Sequence, residues 1–237
     1  MPINLSIKNF EIFGTDHKEL KGIIKEIFTE NSYYFETTKK NPTIVDVGAH
    51  VGVATLYFKY YFPQANILAI EPHPKAFSLL EKNISENRIE NVTAIEAALG
   101  ITNQEQTIYV DAEDTWLSTT SSTNGAWDES QETYPIEVEG ITLDEVVMLS
   151  QKMYNADLID LLKIDIEGAE IELLFANALA LKKVDQCIVE FHPTRENGLK
   201  LKDFLTFMNK HGFILKSEIK TSPRKRNVLQ LIHFVRK

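Results

Sequence analysis

Cysteine is nearly absent from this chain. The one thiol among 237 residues, Cys187, cannot close an internal disulfide, and its place in an apolar run reads as a small buried residue in a reducing compartment. Long apolar runs are missing as well. None nears the roughly 20 residues that cross a bilayer, and the opening MPINLSIKNFEIFG has neither the charged start nor the apolar core of a secretion signal. A cytoplasmic protein with no membrane partner is the expectation. Positive charge is scarce, with 25 Lys and Arg against 34 Asp and Glu and a net charge of -9, which speaks against a general nucleic-acid surface. The basic turn Arg224 to Arg226 reads as a solvated loop before it reads as an anion site. Internal repeats are absent, and so is low-complexity sequence outside one Ser/Thr-rich stretch. With 43% hydrophobic residues, the length suits one α/β domain over residues 41–237, preceded by a strand-and-helix cap over residues 1–40.

Glycine is informative where it clusters. TIVDVGAHVGVATLY, Thr43 to Tyr57, runs from an apolar β-branched strand through a turn holding Gly48 and Gly52 into residues able to start a helix. The two glycines allow a close backbone approach to a ligand. Free N–H groups of the turn are expected at the positive end of the helix, a place for a carboxylate or phosphate. A dinucleotide fingerprint requires three glycines as GxGxxG, and GAHVG supplies two, which counts against a pyrophosphate. Asp46, two residues before the first glycine, fits S-adenosylmethionine better, because that molecule carries an ammonium and a sulfonium at its methionine end. A second apolar run, Ile67 to Ile70, ends in Glu71 and is stopped by Pro72 and Pro74. An acid at such a tip accepts hydrogen bonds from a ribose diol. These two tips make Asp46, Gly48, Ala49, His50, Gly52, Thr55, Glu71 and Pro72 the expected cofactor-binding residues.

The strand–helix alternation continues along the chain. In the cap, Leu20, Ile23, Ile24, Ile27 and Phe28 share one helical face, and Tyr33 and Tyr34 arrive just before the cofactor strand, either plugging the sheet edge or leaning over the ligand. Helices are expected over Ala54 to Tyr61 and from Pro74, where Phe77, Leu80 and Ile84 form the core face. Asn91 to Ala97 is a third strand. The β-prone TIYV, Thr107 to Val110, and IEVEG, Ile136 to Gly140, flank Ser118 to Ser130, a long loop that is either a lid over substrate or plain surface. Thr142 and Glu145 make a capping box for a helix running to Tyr154. Asp157 to Asp165 and Val184 to Phe191 are the fourth and fifth strands, separated by a helix carrying Ile171, Leu174 and Leu179. After a helix with Leu201, Phe204, Leu205 and Met208 on its core face, Phe213 to Ile219 and Val228 to Val235 should pair antiparallel. The fold class is α/β: a doubly wound, mostly parallel seven-stranded sheet with helices on both faces and a C-terminal antiparallel hairpin.

IVDVGAHVGVATL, AIEPHP, LLKIDIEGAEIELL and IVEFHP stand in the order and near the spacing of the FkbM family of S-adenosylmethionine-dependent methyltransferases. From about Asn41 to Pro193 the chain resembles that family, most specifically in KIDIEGAE. The resemblance implies a Rossmann-like methyltransferase sheet and S-adenosylmethionine as cofactor. It places the end of the third strand, Glu96, Ala97 and Ala98, by the adenine, and the fourth-strand tip, Asp165 with Glu167, beside the transferring methyl. His50 stands where the family more often carries Asn, at the methionine end. The implied acceptor is a hydroxyl oxygen of a small molecule, a glycan or a natural-product intermediate.

Asp46, Glu71, Glu96, Asp165, Glu167, Glu190 and His192 all fall at or near strand ends, where open α/β sheets bind ligands. A hydroxyl acceptor needs a base, and His192 is the first candidate because histidine changes charge near neutral pH. Glu190, two residues away on the same side of a strand, is its orienting partner or an alternative base. Asp165 and Glu167 share that spacing and complete the catalytic set. These four groups could also receive a divalent cation, but no compact metal-ligand motif is present and no metal is assigned. Carboxylate or nitrogen acceptors, and a non-catalytic cofactor-binding subunit, remain open, as does a homodimer. The two-glycine turn and the closing hairpin count against a nicotinamide oxidoreductase.

Overall fold

Seven strands build the central sheet: β1 (Thr43–Val47), β2 (Asn66–Ile70), β3 (Val92–Ile95), β4 (Ile159–Ile164), β5 (Val184–Phe191), β6 (Phe213–Lys220) and β7 (Gln230–Arg236), ordered β6-β7-β5-β4-β1-β2-β3. The computed structural model describes residues 2–111, 119–121, 133–166, 168–192, 201–220 and 230–237. Glu167, Arg224 to Arg226, Val228 and most of Ser118 to Ser130 lie outside the described residues. Strands β1 to β5 pair in parallel, and β7 runs antiparallel between β5 and β6. The closing hairpin and the mostly parallel sheet are as the sequence pattern implies. The chain winds outward from β1 to β3, then crosses back to lay β4 on the other side of β1. That reversal opens a crevice at the carboxyl ends of β1 and β4.

Period-two alternation within the strands fills both faces of the sheet. Val45, Val47, Leu68, Ile70, Leu162, Ile164 and Val189 face a core built with α4 (Leu143–Tyr154), α5 (Glu170–Ala176) and α6 (Leu201–Lys210). Ile44, Ile67, Ala69, Leu161 and Ile188 face the other side, toward α2 (Val53–Tyr61), α3 (Pro74–Glu86) and the cap with α1 (His17–Ile24). The capping box that starts α4 is present in full, with Thr142 and Glu145 each accepting from the other's backbone N–H. Cys187 is fully buried on β5, as its apolar run implied, and burial pushes its thiol pKa up.

Three segments differ from the sequence expectation. The third strand stops at Ile95, and Ala98–Gly100 pairs instead in parallel with Gly140–Thr142. Leu179 is not on a helical core face: α5 ends at Ala176, and Leu179 is 72% exposed. Asn177 explains the early stop, because its side chain ties Leu173 O, Gly100 O and Leu143 N together where another turn of helix would have to pass. The helical face of the cap continues past Ile24 as a π-helical turn, Lys25–Thr29, which keeps Ile27 and Phe28 buried.

The cap hairpin, Ile3–Ile7 with Phe10–Gly14, is held to the domain by Asn83 of α3, which is fully buried. Its amide accepts from Phe13 N at 2.7 Å and donates to Phe13 O at 3.0 Å and to Val51 O, in the glycine turn, at 2.7 Å. One side chain therefore joins cap, helix and turn. Asn83→Ala should lower unfolding stability by about 2 to 4 kcal/mol, the cost of leaving buried backbone groups unpaired, read from urea denaturation midpoints.

Candidate active site

The glycine turn folds back onto its own sheet. Gly48 (φ 71°), His50 (φ 54°) and Gly52 (φ 87°) all have positive φ, the middle one without the freedom of glycine. Gly48 N and Ala49 N donate to Ile70 O, Gly52 N to Ala49 O, and His50 N to Glu71 Oε2 at 2.8 Å. These N–H groups are therefore taken up inside the protein, and the free set expected from sequence is not found at these four positions. Helix α2 nevertheless begins after Gly52, its N-cap, without a side-chain cap. The glycines are needed for close packing of the protein itself. A Cβ on Gly48 would lie 1.8 Å from the carbonyl oxygen of Asp165, and one on Gly52 would lie 2.7 Å from Leu80.

Glu71, at the tip of β2, is 3% exposed and receives His50 N on one oxygen and His73 N, at 2.9 Å, on the other. Burial outweighs these two donors and lifts its pKa to about 7. Pro72 follows, half-buried, and His73 caps α3 by accepting from Lys75 N. His50 is half-buried, and burial pushes its imidazole pKa down to about 3, so it stays neutral. Glu96 is exposed just beyond β3, while Ala97 and Ala98 are buried.

Between β1 and β5 the charged groups form a continuous chain. Asp46 is fully buried, with Oδ2 accepting from Thr55 Oγ1 at 2.7 Å and Oδ1 lying 3.2 Å from the Lys163 ammonium. Asp46 and Thr55, both expected to touch cofactor, thus engage each other. Lys163, buried on β4, also donates to Val47 O and Gly48 O and lies 3.6 Å from Asp165 Oδ2. Burial works against its charge, but Asp46 and Asp165 outweigh that and hold its pKa above the usual lysine value. The Tyr33 hydroxyl lies 3.3 Å from Asp165 Oδ2 and 3.0 Å from Glu190 Oε2. Glu190 Oε1 is 4.0 Å from His192 Nε2, and His192 Nδ1 meets Glu170 Oε1 at 2.8 Å.

The tips of β1, β4 and β5 therefore bring Asp46, Asp165, Glu190 and His192 together, as their spacing implied, with Glu71 held beside the turn. Glu167 lies outside the described residues. The orienting partner of His192 is Glu170, from the first turn of α5. Glu190, expected in that place, sits on the far side of the ring. Glu170, Lys163 and the contacts of Tyr33 were not read from sequence, although a lysine inside the apolar run DLIDLLKID is a signal, since a buried cation needs carboxylate partners. Asp165, Glu190 and His192 offer ligand atoms within 4.8 Å of one another. Tyr33 already bridges the two acids and Lys163 supplies a cation beside them, so we assign no metal there.

A methyltransferase FkbM domain matches residues 46–215, from the end of β1 into β6. The chain belongs to the FkbM methyltransferase family. It is 30% identical over 168 residues to Methyltransferase 1 of Beauveria bassiana (strain ARSEF 2860), covering 66% of each chain. It is 31% identical over 176 residues to Methyltransferase sdnD of Sordaria araneosa, covering 66% of this chain and 68% of that one. The match thus spans about two thirds of the length of these relatives. Among solved structures, M. jannaschii TYW2 in complex with AdoMet shares the fold with a TM-score of 0.56 at 13% identity, over 100% of this chain and 87% of that one. Methyltransferase FkbM from Methylobacillus flagellatus KT does so at 0.55 and 14% identity, over 88% of this FkbM chain and 47% of that one. No helix among the described residues is long and apolar enough to cross a membrane.

Gly48→Ala should abolish the native fold of the turn or the native state itself, seen as a large drop in thermal midpoint, because the added carbon meets a backbone atom that cannot step aside. Glu71 makes a pH-dependent contribution of unusual sign. Its folded pKa, about 7, exceeds the unfolded value, so its contribution is greatest in acid and is lost as pH rises through 7. Compared with wild type, Glu71→Gln should therefore gain relative stability from pH 5 to 8, with a slope of at most about 1.4 kcal/mol per pH unit, measured by urea unfolding at each pH.

Proposed function

We propose that this FkbM-family chain binds S-adenosylmethionine across the tips of β1, β2 and β4 and methylates a hydroxyl oxygen of a small molecule, a sugar or a natural-product intermediate. The residues present suit that cofactor. Glu71 is a buried carboxylate with further lone pairs for a diol, α2 starts without a side-chain cap where a carboxylate would be received, and the cluster beyond β4 is acidic where a sulfonium would lie. When bound, the cofactor supplies an activated methyl whose sulfur leaves as a neutral thioether.

One observation carries the oxygen acceptor: the 2.8 Å contact of His192 Nδ1 with the buried carboxylate of Glu170. It sets the Nδ1–H tautomer and turns the basic Nε2 toward Glu190 and Asp165. Glu170 is itself fixed by Gly168 N at 2.9 Å. His192 Nε2 then accepts the hydroxyl proton as the acceptor oxygen forms its bond to the methyl carbon and the carbon–sulfur bond breaks. A positive charge moves from sulfur to imidazole, and Glu170, Glu190 and Asp165 lie close enough to stabilise it at both ends of that path.

His192→Ala should lower kcat for a hydroxyl acceptor by roughly 100-fold or more while calorimetric affinity for S-adenosylhomocysteine stays within about threefold. Glu170→Gln should lose part of the same rate without the same binding change. Full turnover of His192→Ala on an acceptor with a free carboxylate would instead identify a reaction that needs no base.

A further inference from the structure

We infer that Tyr33, delivered by the cap, is a positioning residue of the methyl-transfer site, whose hydroxyl bridges Asp165 and Glu190 and so sets the charge around His192. This assignment rests on the base reading given above. The two carboxylates come from different strand tips and would repel one another if nothing lay between them. The phenol supplies that bridge, at 3.3 Å and 3.0 Å. It has one hydrogen for two carboxylate oxygens and serves each in turn, so the three groups hold their protons as a unit. Packing alone would not call for the hydroxyl: a phenylalanine would fill the same space beside Phe58, 6.5 Å away between ring centres, and under the Lys163 ammonium, 5.3 Å above the ring. A buried hydroxyl costs free energy unless it is bonded, and among the described residues its hydrogen-bond partners are these acids.

The charged groups facing Tyr33 are Glu190 on β5, Asp165 beyond β4, Lys163 on β4 and Glu26 in the cap. Burial first, and then these carboxylates, keep its pKa well above the usual tyrosine range, so the hydroxyl remains a donor. Around His192 stand Glu170 on α5 and Glu190 on β5, with Asp165 in the same cluster. A donor to a carboxylate lowers the proton affinity of the whole cluster, and its removal raises it. Tyr33 therefore offsets part of the negative charge that faces the imidazole, and its removal should make the imidazole easier to protonate.

The test is the NMR titration of the His192 imidazole in the full chain, its resonance identified by its loss in His192→Gln. In Tyr33→Phe the midpoint should rise by about one pH unit, the size of a lost hydrogen bond to a charged group, while the thermal midpoint shows the protein folded. With a hydroxyl acceptor, kcat should fall roughly tenfold or more and KM should hold. In a Glu190→Gln background the Tyr33→Phe shift should shrink, because the bridge has lost one of its ends. An unmoved His192 midpoint overturns the assignment, and so does an acceptor KM that rises with kcat intact. Because the titration needs no acceptor, failure to methylate any hydroxyl would refute the functional reading separately.

Discussion

A single buried ammonium organises this site. Lys163 sits between Asp46 and Asp165 and donates to the carbonyls of Val47 and Gly48, so one side chain joins the tip of β4 to the tip of β1 and to the turn that follows it. Buried ions are costly to bring out of water, and removing one partner leaves the others uncompensated, at a cost of about 3 to 5 kcal/mol. The arrangement thus ties the shape of the turn to the charge of the cluster. Asp46, fully buried, is tied to the cluster through this lysine.

From Lys163 the chain of contacts runs outward through Asp165, Tyr33, Glu190 and His192 to Glu170. Each member is held by its neighbour more than by solvent. Such a network gives each group fixed partners and a fixed direction, which an isolated surface acid does not have. The cap is part of this network as well as of the packing, since Tyr33 reaches the cluster from outside the sheet.

Much of this was legible in the sequence where physical rules are local. The alternation of Ile44, Val45 and Val47, the capping box of Thr142 and Glu145, and the clustering of acids and His192 at strand ends all appear where spacing placed them. What was not legible depends on long-range closure. Glu170 reads as an ordinary acid in a first helical turn until β5 brings His192 beside it, 22 residues on. Nor can spacing show that the turn's N–H groups fold back onto Ile70 and Glu71, or that Asp46 faces Lys163. Leu179 fits a helical period, but the side-chain bonds of Asn177 end the helix before it can be reached.

The close approach at Gly48 sets a limit on how this pocket can loosen. There the main chain of one strand tip touches the carbonyl of another, with no side chain between them. Main-chain contacts have no rotamers to exchange, so heat or cosolvent that relaxes side-chain packing will disturb the rim of the pocket before its floor. The backbone around Gly48 should behave as a rigid template.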